Sequence, residues 1–177
     1  MDIQNQNDNT LCEDLSGAFA PHPYTPPGPI AWNSTSQIHS FSNNANKIIN
    51  AAKEVYRQLG TGHNERVYHK ALVYELNCIG YNLDTEMNII VKYKDSKGNV
   101  HNLETERIDI FIHGENILVE LKAIQKQIQA QEKAQLEKYI NELNKINITV
   151  SDALVINFPQ PNNKEIPSKI DYFVKEI

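Results

Sequence analysis

Arg107-Ile108-Asp109-Ile110-Phe111-Ile112, His113-Gly114-Glu115-Asn116 and Ile117-Leu118-Val119-Glu120-Leu121-Lys122 form the stretch from which the fold is read. Two runs of β-branched and aliphatic residues, each with charges at alternate positions, flank a short polar break that contains glycine. That pattern predicts a β-hairpin. With Gly114-Glu115 as a two-residue turn, Ile112 pairs with Ile117, Asp109 falls opposite Glu120, and Arg107 falls opposite Lys122. All four charged residues then share one face. Alternation sends Ile108, Ile110 and Ile112 one way and Arg107, Asp109 and Phe111 the other, while Val119, Leu121 and Ala123 oppose Leu118, Glu120 and Lys122 on the partner strand. One face is expected to be core and the other chemical. Two carboxylates with Cβ atoms about 5 Å apart repel by roughly 3 kcal/mol at an effective dielectric of about 20. Diagonal ion pairs, Asp109 with Lys122 and Glu120 with Arg107, would offset that cost, and so would a divalent cation.

Outward from the hairpin, the chain predicts alternating helices and strands. Ser42 to Asn44 can cap a helix running to Leu59, with Ile48, Ile49, Ala52, Val55, Tyr56 and Leu59 on one face. Gly60-Thr61-Gly62 ends it. A second helix runs from His63 or Asn64 to Ile79, its stripe formed by Tyr68, Leu72, Leu76 and Ile79, with Glu65 on the same stripe and Gly80 as the stop. A carboxylate in a first helical turn is favoured by the helix dipole, so Glu65 is read either as a cap or as a group pointing into a site. Thr85 to Lys94 and a long run from Val100 read as strands joined by the loop Asp95 to Asn99. Gln129 to Asn144 is rich in helix formers, with Leu136, Ile140 and Leu143 apolar and Gln135 and Tyr139 one turn apart. Val150 to Phe158 reads as a buried strand and Ile170 to Val174 as an edge strand.

The 177 residues are enough for one domain with a tail, expected over residues 44–177 and 1–43 respectively. The tail is polar and Pro-rich, as in His22-Pro23-Tyr24-Thr25-Pro26-Pro27-Gly28-Pro29, and is expected to be disordered. With Tyr24, Ile30 and Trp32 it is also a candidate docking segment for a protein partner. A net charge of −5 excludes an extended basic coat, so contact with DNA or RNA has to be local or assisted by metal ions. Cys12 and Cys78 lie far apart without metal-ligand spacing, and Cys78 is expected to be a buried thiol. The chain has no apolar run long enough for a membrane span and begins without a basic, apolar leader, so an intracellular protein is expected.

The charged residues admit a definite chemistry. Hard divalent cations prefer oxygen ligands, and Mg²⁺ takes one or two carboxylates while keeping several waters. Asp109 and Glu120 would hold Mg²⁺ or Mn²⁺, with the backbone carbonyl of Leu121 as a further donor and Glu65 acting through a water. Lys122 would position or deprotonate the attacking water and stabilise charge on a phosphate. Gln135 would orient Lys122 or the nucleophile. His63, His69, His101 and His113 are read as ordinary polar residues, and no serine nucleophile motif, Gly-rich phosphate loop or Cys/His cluster is present.

Four motifs carry a resemblance. Gly62-His63-Asn64-Glu65-Arg66-Val67-Tyr68 resembles the G-x-x-E-x-x-Y signature of the GxxExxY protein family. Arg107-Ile108-Asp109, Val119-Glu120-Leu121-Lys122-Ala123 and Gln135-Leu136-Glu137-Lys138-Tyr139 are similar to its R-x-D strand, V-E-L-K-A strand and Q-x-x-x-Y helix. The family lies within the PD-(D/E)XK nuclease-like superfamily. The resemblance implies an α/β fold, a mixed central sheet flanked by helices with a restriction-endonuclease-like αβββαβ core. It maps Glu65, Asp109, Glu120 and Lys122 onto the catalytic constellation, with Gln135 on the supporting helix, and no proline precedes Asp109. The implied activity is divalent-metal-dependent hydrolysis of DNA or RNA phosphodiesters by an activated water. Two other readings stand beside it: a catalytically inactive module that binds nucleic acid or a protein partner, and a homo-oligomer packed through its acidic surface.

Overall fold

Helix α1 (Asn43–Leu59) begins at a side-chain cap: Ser42 Oγ accepts the Ala45 N–H at 3.0 Å and donates to Asp152 Oδ2 at 2.7 Å. The chain is seen here in a computed structural model that describes residues 41–177, so nearly all of the expected tail, with Cys12 and Trp32, lies outside the described residues. Gly60, with φ of 66°, ends α1 in a backbone conformation that only glycine adopts without cost. Helix α2 (Glu65–Cys78) is capped by Asn64, whose side chain accepts the Val67 N–H. Its four-residue spacing buries Tyr68, Leu72 and Leu76 against α1 and the sheet. The stripe stops there. Ile79 is exposed, and so is Cys78, contrary to the buried thiol expected, because the last turn of α2 runs past the edge of the core.

Strands β1 (Leu83–Lys94), β2 (Val100–Ile112), β3 (Ile117–Lys122), β4 (Asp152–Asn157) and β5 (Asp171–Glu176) form one sheet in chain order. The β3–β4 pair is parallel and the others antiparallel. A parallel neighbour needs a long crossover, and helix α3 (Ala130–Asn144) supplies it. Helices α1 and α2 cover one face through Ile110, Ile112, Val119, Leu121, Leu154 and Ile156. On the other face α3 packs Leu136, Ile140 and Leu143 on Ile108, Phe111, Leu118 and Val155. The fold is the expected α/β arrangement, a mixed sheet between helices, and its order ααβββαββ contains the expected αβββαβ core.

The hairpin departs from its expected geometry in ways that matter for function. Its register is as expected, Ile112 opposite Ile117, but the connection is a four-residue turn, His113 to Asn116, with Gly114 at φ of 82° and Asn116 at φ of 54°. Pairing of β2 with β3 runs only from Ile112↔Ile117 to Ile110↔Val119, so Asp109 is not paired with Glu120 nor Arg107 with Lys122. The β1–β2 ladder is also interrupted here: Thr85 pairs with Ile110 and Met87 with Ile108, while Glu86, at φ of 56°, and Asp109 are skipped. The strand turns about its axis at this gap. Ile108 consequently faces α3 with Phe111, not α1 and α2 with Ile110 and Ile112, and both faces of the sheet are core. The chemical groups lie where the pairing ends.

Candidate active site

Because the ladders skip Asp109, its polar atoms find partners elsewhere. Its Oδ2 accepts the Leu121 N–H at 2.8 Å, so a side chain replaces the missing strand pairing. Its backbone carbonyl takes a hydrogen bond from His69 Nε2 at 3.0 Å, and since a carbonyl only accepts, Nε2 carries the proton. Asp109 thereby bridges β2, β3 and α2.

Glu120 sits one residue before that contact and is 2% exposed. Its Oε1 accepts from Lys122 Nζ at 2.6 Å and from Gln135 Nε2 at 2.7 Å. Its Oε2 is buried without a hydrogen-bond partner. Gln135 also donates to Tyr139 Oη at 2.9 Å, and Tyr139 in turn donates to the Arg107 carbonyl at 3.1 Å. One side of α3 therefore fixes the Glu120 carboxylate and the strand carrying Asp109. Burial, then the charge of Asp109, push Glu120 up from 4.5 to about 7, against the opposing pull of Lys122. For Lys122, burial works downward, but the charge and hydrogen bond of Glu120, aided by Asp109 and Glu65, outweigh it and raise the amine. Lys122 is a firm cation.

Glu65 opens α2, and the motif around it has a physical basis. Gly62, at φ of 99°, turns the chain, and its N–H donates to Gln160 Oε1 at 3.1 Å. Tyr68 is fully buried, its ring stacked on Phe158 at 4.5 Å between centroids and its hydroxyl donating to the Gly60 carbonyl at 2.9 Å. The turn and the tyrosine thus fix the first turn of α2, and the Glu65 carboxyl reaches the Ala123 N–H just past Lys122. Burial first, then Asp109, raise its pKa, with Lys122 pulling the other way. A cavity of about 440 Å³ opens there, lined by Glu65, Arg66, His69, Glu86, Arg107 and Asp109.

Glu65, Asp109, Glu120 and Lys122 therefore influence one another electrostatically, and Gln135 touches Glu120. The diagonal ion pairs expected from the hairpin do not form: Lys122 bonds Glu120 on its own strand, and Arg107 lies 3.6 Å from Glu86 at the rim. Two residues escaped the sequence reading. His69 was discounted by comparison with His63, although it stands one helical turn from Glu65 and so on the same side of α2. Tyr139 was seen beside Gln135 but given no role; no sequence signal told that its hydroxyl would reach strand β2.

Residues 42–169 match a family model described as the PD-(D/E)XK nuclease superfamily. The chain belongs to the PD-(D/E)XK nuclease superfamily. No curated protein matches the sequence. Among solved structures, the crystal structure of SSO0001 is similar over 63% of this chain and 50% of its own, at 17% identity and a TM-score of 0.46. The PD-(D/E)XK chain thus spans about half the length of that structure. Among the described residues, no helix is long and apolar enough to cross a membrane.

Proposed function

We propose that this protein is a GxxExxY-type member of the superfamily that hydrolyses phosphodiester bonds of DNA or RNA with the help of Mg²⁺ or Mn²⁺. The observation that carries the reading is the buried Glu120 Oε2, an oxygen with no donor beside a second carboxylate, Asp109. A buried anionic oxygen without a partner is costly, and a cation or a proton relieves it. The donors suit a hard divalent ion: Asp109 and Glu120 as ligands and Glu65 at the rim, all oxygens. Among the described residues no three His, Cys, Asp or Glu side chains are grouped as a metal cage, and Mg²⁺ takes one or two carboxylates with waters filling its other positions. When bound, such an ion acidifies a water and neutralises charge on phosphate oxygens. Gln135 holds Glu120 through Oε1 and leaves Oε2 for the ligand. Lys122 would place a positive charge where a phosphate oxygen becomes more anionic, and a bound cation would offset the acids Glu65, Glu86 and Asp109 that line the cavity with Arg66 and Arg107.

The alternative is an inactive module on the same fold that binds nucleic acid or a protein partner. The direct bonds of Lys122 to Glu120 and of Leu121 to Asp109, a network that satisfies one oxygen of each acid within the protein, favour it. The test uses the purified full chain with single- and double-stranded DNA and RNA in Mn²⁺, compared with a Glu120→Ala/Lys122→Ala variant. Cleavage by the wild type and its loss in the variant are expected. Equal inactivity of both across all substrates refutes hydrolysis and leaves the binding module. We place the domain boundary near residue 44, and limited proteolysis that spares residues 44–177 is the expected check.

A further inference from the structure

A second, larger cavity, of about 1180 Å³, opens beyond the end of β3. Lys53, Arg57, Lys126 and Lys169 line it, against the acids Glu165 and Asp171. Asp171 is already engaged, since its Oδ2 accepts the Ile128 N–H at 2.7 Å, and so is Arg57, which donates to both Glu54 oxygens at 2.6 and 2.7 Å, so the basic character of the wall rests on the lysines. The net charge of −5 hides this basic patch. Residues 1–40 hold Asp2, Asp8, Glu13 and Asp14 and no lysine or arginine, so residues 41–177 carry 17 cations against 18 acids. Pockets for small molecules usually enclose about 300–1,000 Å³, so a cavity of this size suits an extended ligand. Its wall also presents Tyr172, whose ring has Phe41 edge-on at 6.1 Å and Lys53 at 5.9 Å, and Ile166, which is 77% exposed.

The cavity is built onto the same loops as the acidic site. Gln125 and Lys126 lie three and four residues after Lys122, and the loop is held by Asn157, which accepts the Ile124 N–H at 3.0 Å and donates to the Lys126 carbonyl at 3.1 Å. On the other side Thr61 donates to the Pro159 carbonyl at 2.9 Å, joining the cavity wall to the turn that leads to Glu65. Cations with an aromatic ring and an apolar residue in a concave wall match the way single strands are held, phosphates on the charges and unstacked bases on the ring. We infer that this cavity is a binding site for single-stranded nucleic acid, taking phosphates on Lys126 and Lys169 and a base against Tyr172 and Ile166. The inference rests on the reading of the acidic site as one that acts on nucleic acid, and it names the form of the strand beside that site.

The test is fluorescence anisotropy of labelled oligo(dT) with the full chain in EDTA, across a salt series. Lys126→Gln/Lys169→Gln is expected to weaken binding at least about tenfold and to make the slope of log K against log salt shallower by about 1.4, two phosphate contacts on a single strand. Lys92→Gln/Lys97→Gln, on the distant β1–β2 hairpin, is expected to change neither. All four lysines are exposed, and thermal melts verify that both variants fold. Unchanged affinity and slope in the cavity variant, or no binding of oligo(dT) by the wild type, overturns the inference. So does a duplex that binds as tightly and loses as much. Because the readout is free of metal, absence of cleavage by a wild type that binds oligo(dT) refutes hydrolysis alone, and cleavage with no effect of the cavity variant on binding refutes the cavity alone.

Discussion

Replacing Glu120 with Gln should stabilise the metal-free protein at alkaline pH and do nothing for it in mild acid. Burial, then Asp109, hold the folded-state pKa of Glu120 at about 7, against 4.5 for the ordinary carboxyl. Between those values the folded state binds a proton that the unfolded chain does not, so stability falls as pH rises through the window. The gap corresponds to about 3 kcal/mol, fully lost above the folded-state pKa. Glutamine resembles the protonated acid: its Oε1 keeps the bonds from Lys122 and Gln135, and its amide replaces the partnerless Oε2 next to Asp109. Urea unfolding of both proteins in EDTA from pH 4.5 to 8.5 reads the effect, since titrations of groups that do not interact with Glu120 cancel in the difference. The variant should gain nothing at the acid end and about 3 kcal/mol at the alkaline end. Adding Mn²⁺ at pH 8 should then stabilise the wild type selectively, in proportion to metal occupancy. A difference that stays flat with pH, or a wild type that gains stability relative to the variant as pH rises, would refute the claim that Glu120 is held at an electrostatic cost.

Two further substitutions test how the site is held. Asp109→Ala strips the Leu121 N–H of its acceptor and should cost about 1–3 kcal/mol in urea unfolding. The cost should be smaller at pH 8 than at pH 5, because only the ionised Glu120 is relieved of its repulsion by Asp109. Tyr68→Phe keeps the stack on Phe158 but frees the Gly60 carbonyl and the His63 N–H, and should lower the urea midpoint by an amount equivalent to about 1 kcal/mol with an unchanged slope; a loss of more than about 3 kcal/mol would mean that the hydroxyl does more than hold the turn.

Much of the fold was legible because it rests on local rules. Ser42 and Asn64 cap helices as short polar side chains do, Leu136, Ile140 and Leu143 keep helical spacing, and the apolar run Ala153 to Ile156 is a buried strand. The acids and the lysine were legible as types, because charge on an otherwise apolar strand needs a reason. Their arrangement was not. Alternation assumes an unbroken ladder, and the positive φ of Glu86, a residue on another strand, breaks it at Asp109. No pattern within residues 107–122 carries that information. The same break explains why Ile108 was placed on the wrong side of the sheet and why Arg107 was paired with the wrong partners. Burial of Cys78 failed for a different reason, since helical spacing tells which side of α2 is apolar but not where the sheet beneath it ends.

The break in pairing has a consequence beyond geometry. Had the two strands continued in register, Asp109 and Glu120 would face each other across a hairpin, open to neutralisation by Arg107 and Lys122 on the diagonals. Ending the ladder at Ile110↔Val119 turns Asp109 toward the Leu121 N–H and buries Glu120 under α3. Asp109 is then restrained at one oxygen by the backbone, and Glu120 at one oxygen by Lys122 and Gln135. Arg107 is drawn off to Glu86 at the rim. An unrestrained pair of acids would rotate apart to relieve their repulsion, whereas these are each held at one oxygen, Asp109 by the backbone of β3 and Glu120 by its own strand and α3. The raised pKa of Glu120 is the cost of burying it beside Asp109, which the bond from Lys122 only partly offsets. A fold under selection for stability alone would have an apolar residue at position 120, where Leu118, Val119 and Leu121 already supply the pattern; keeping a carboxylate there is what makes a ligand of the site the economical explanation.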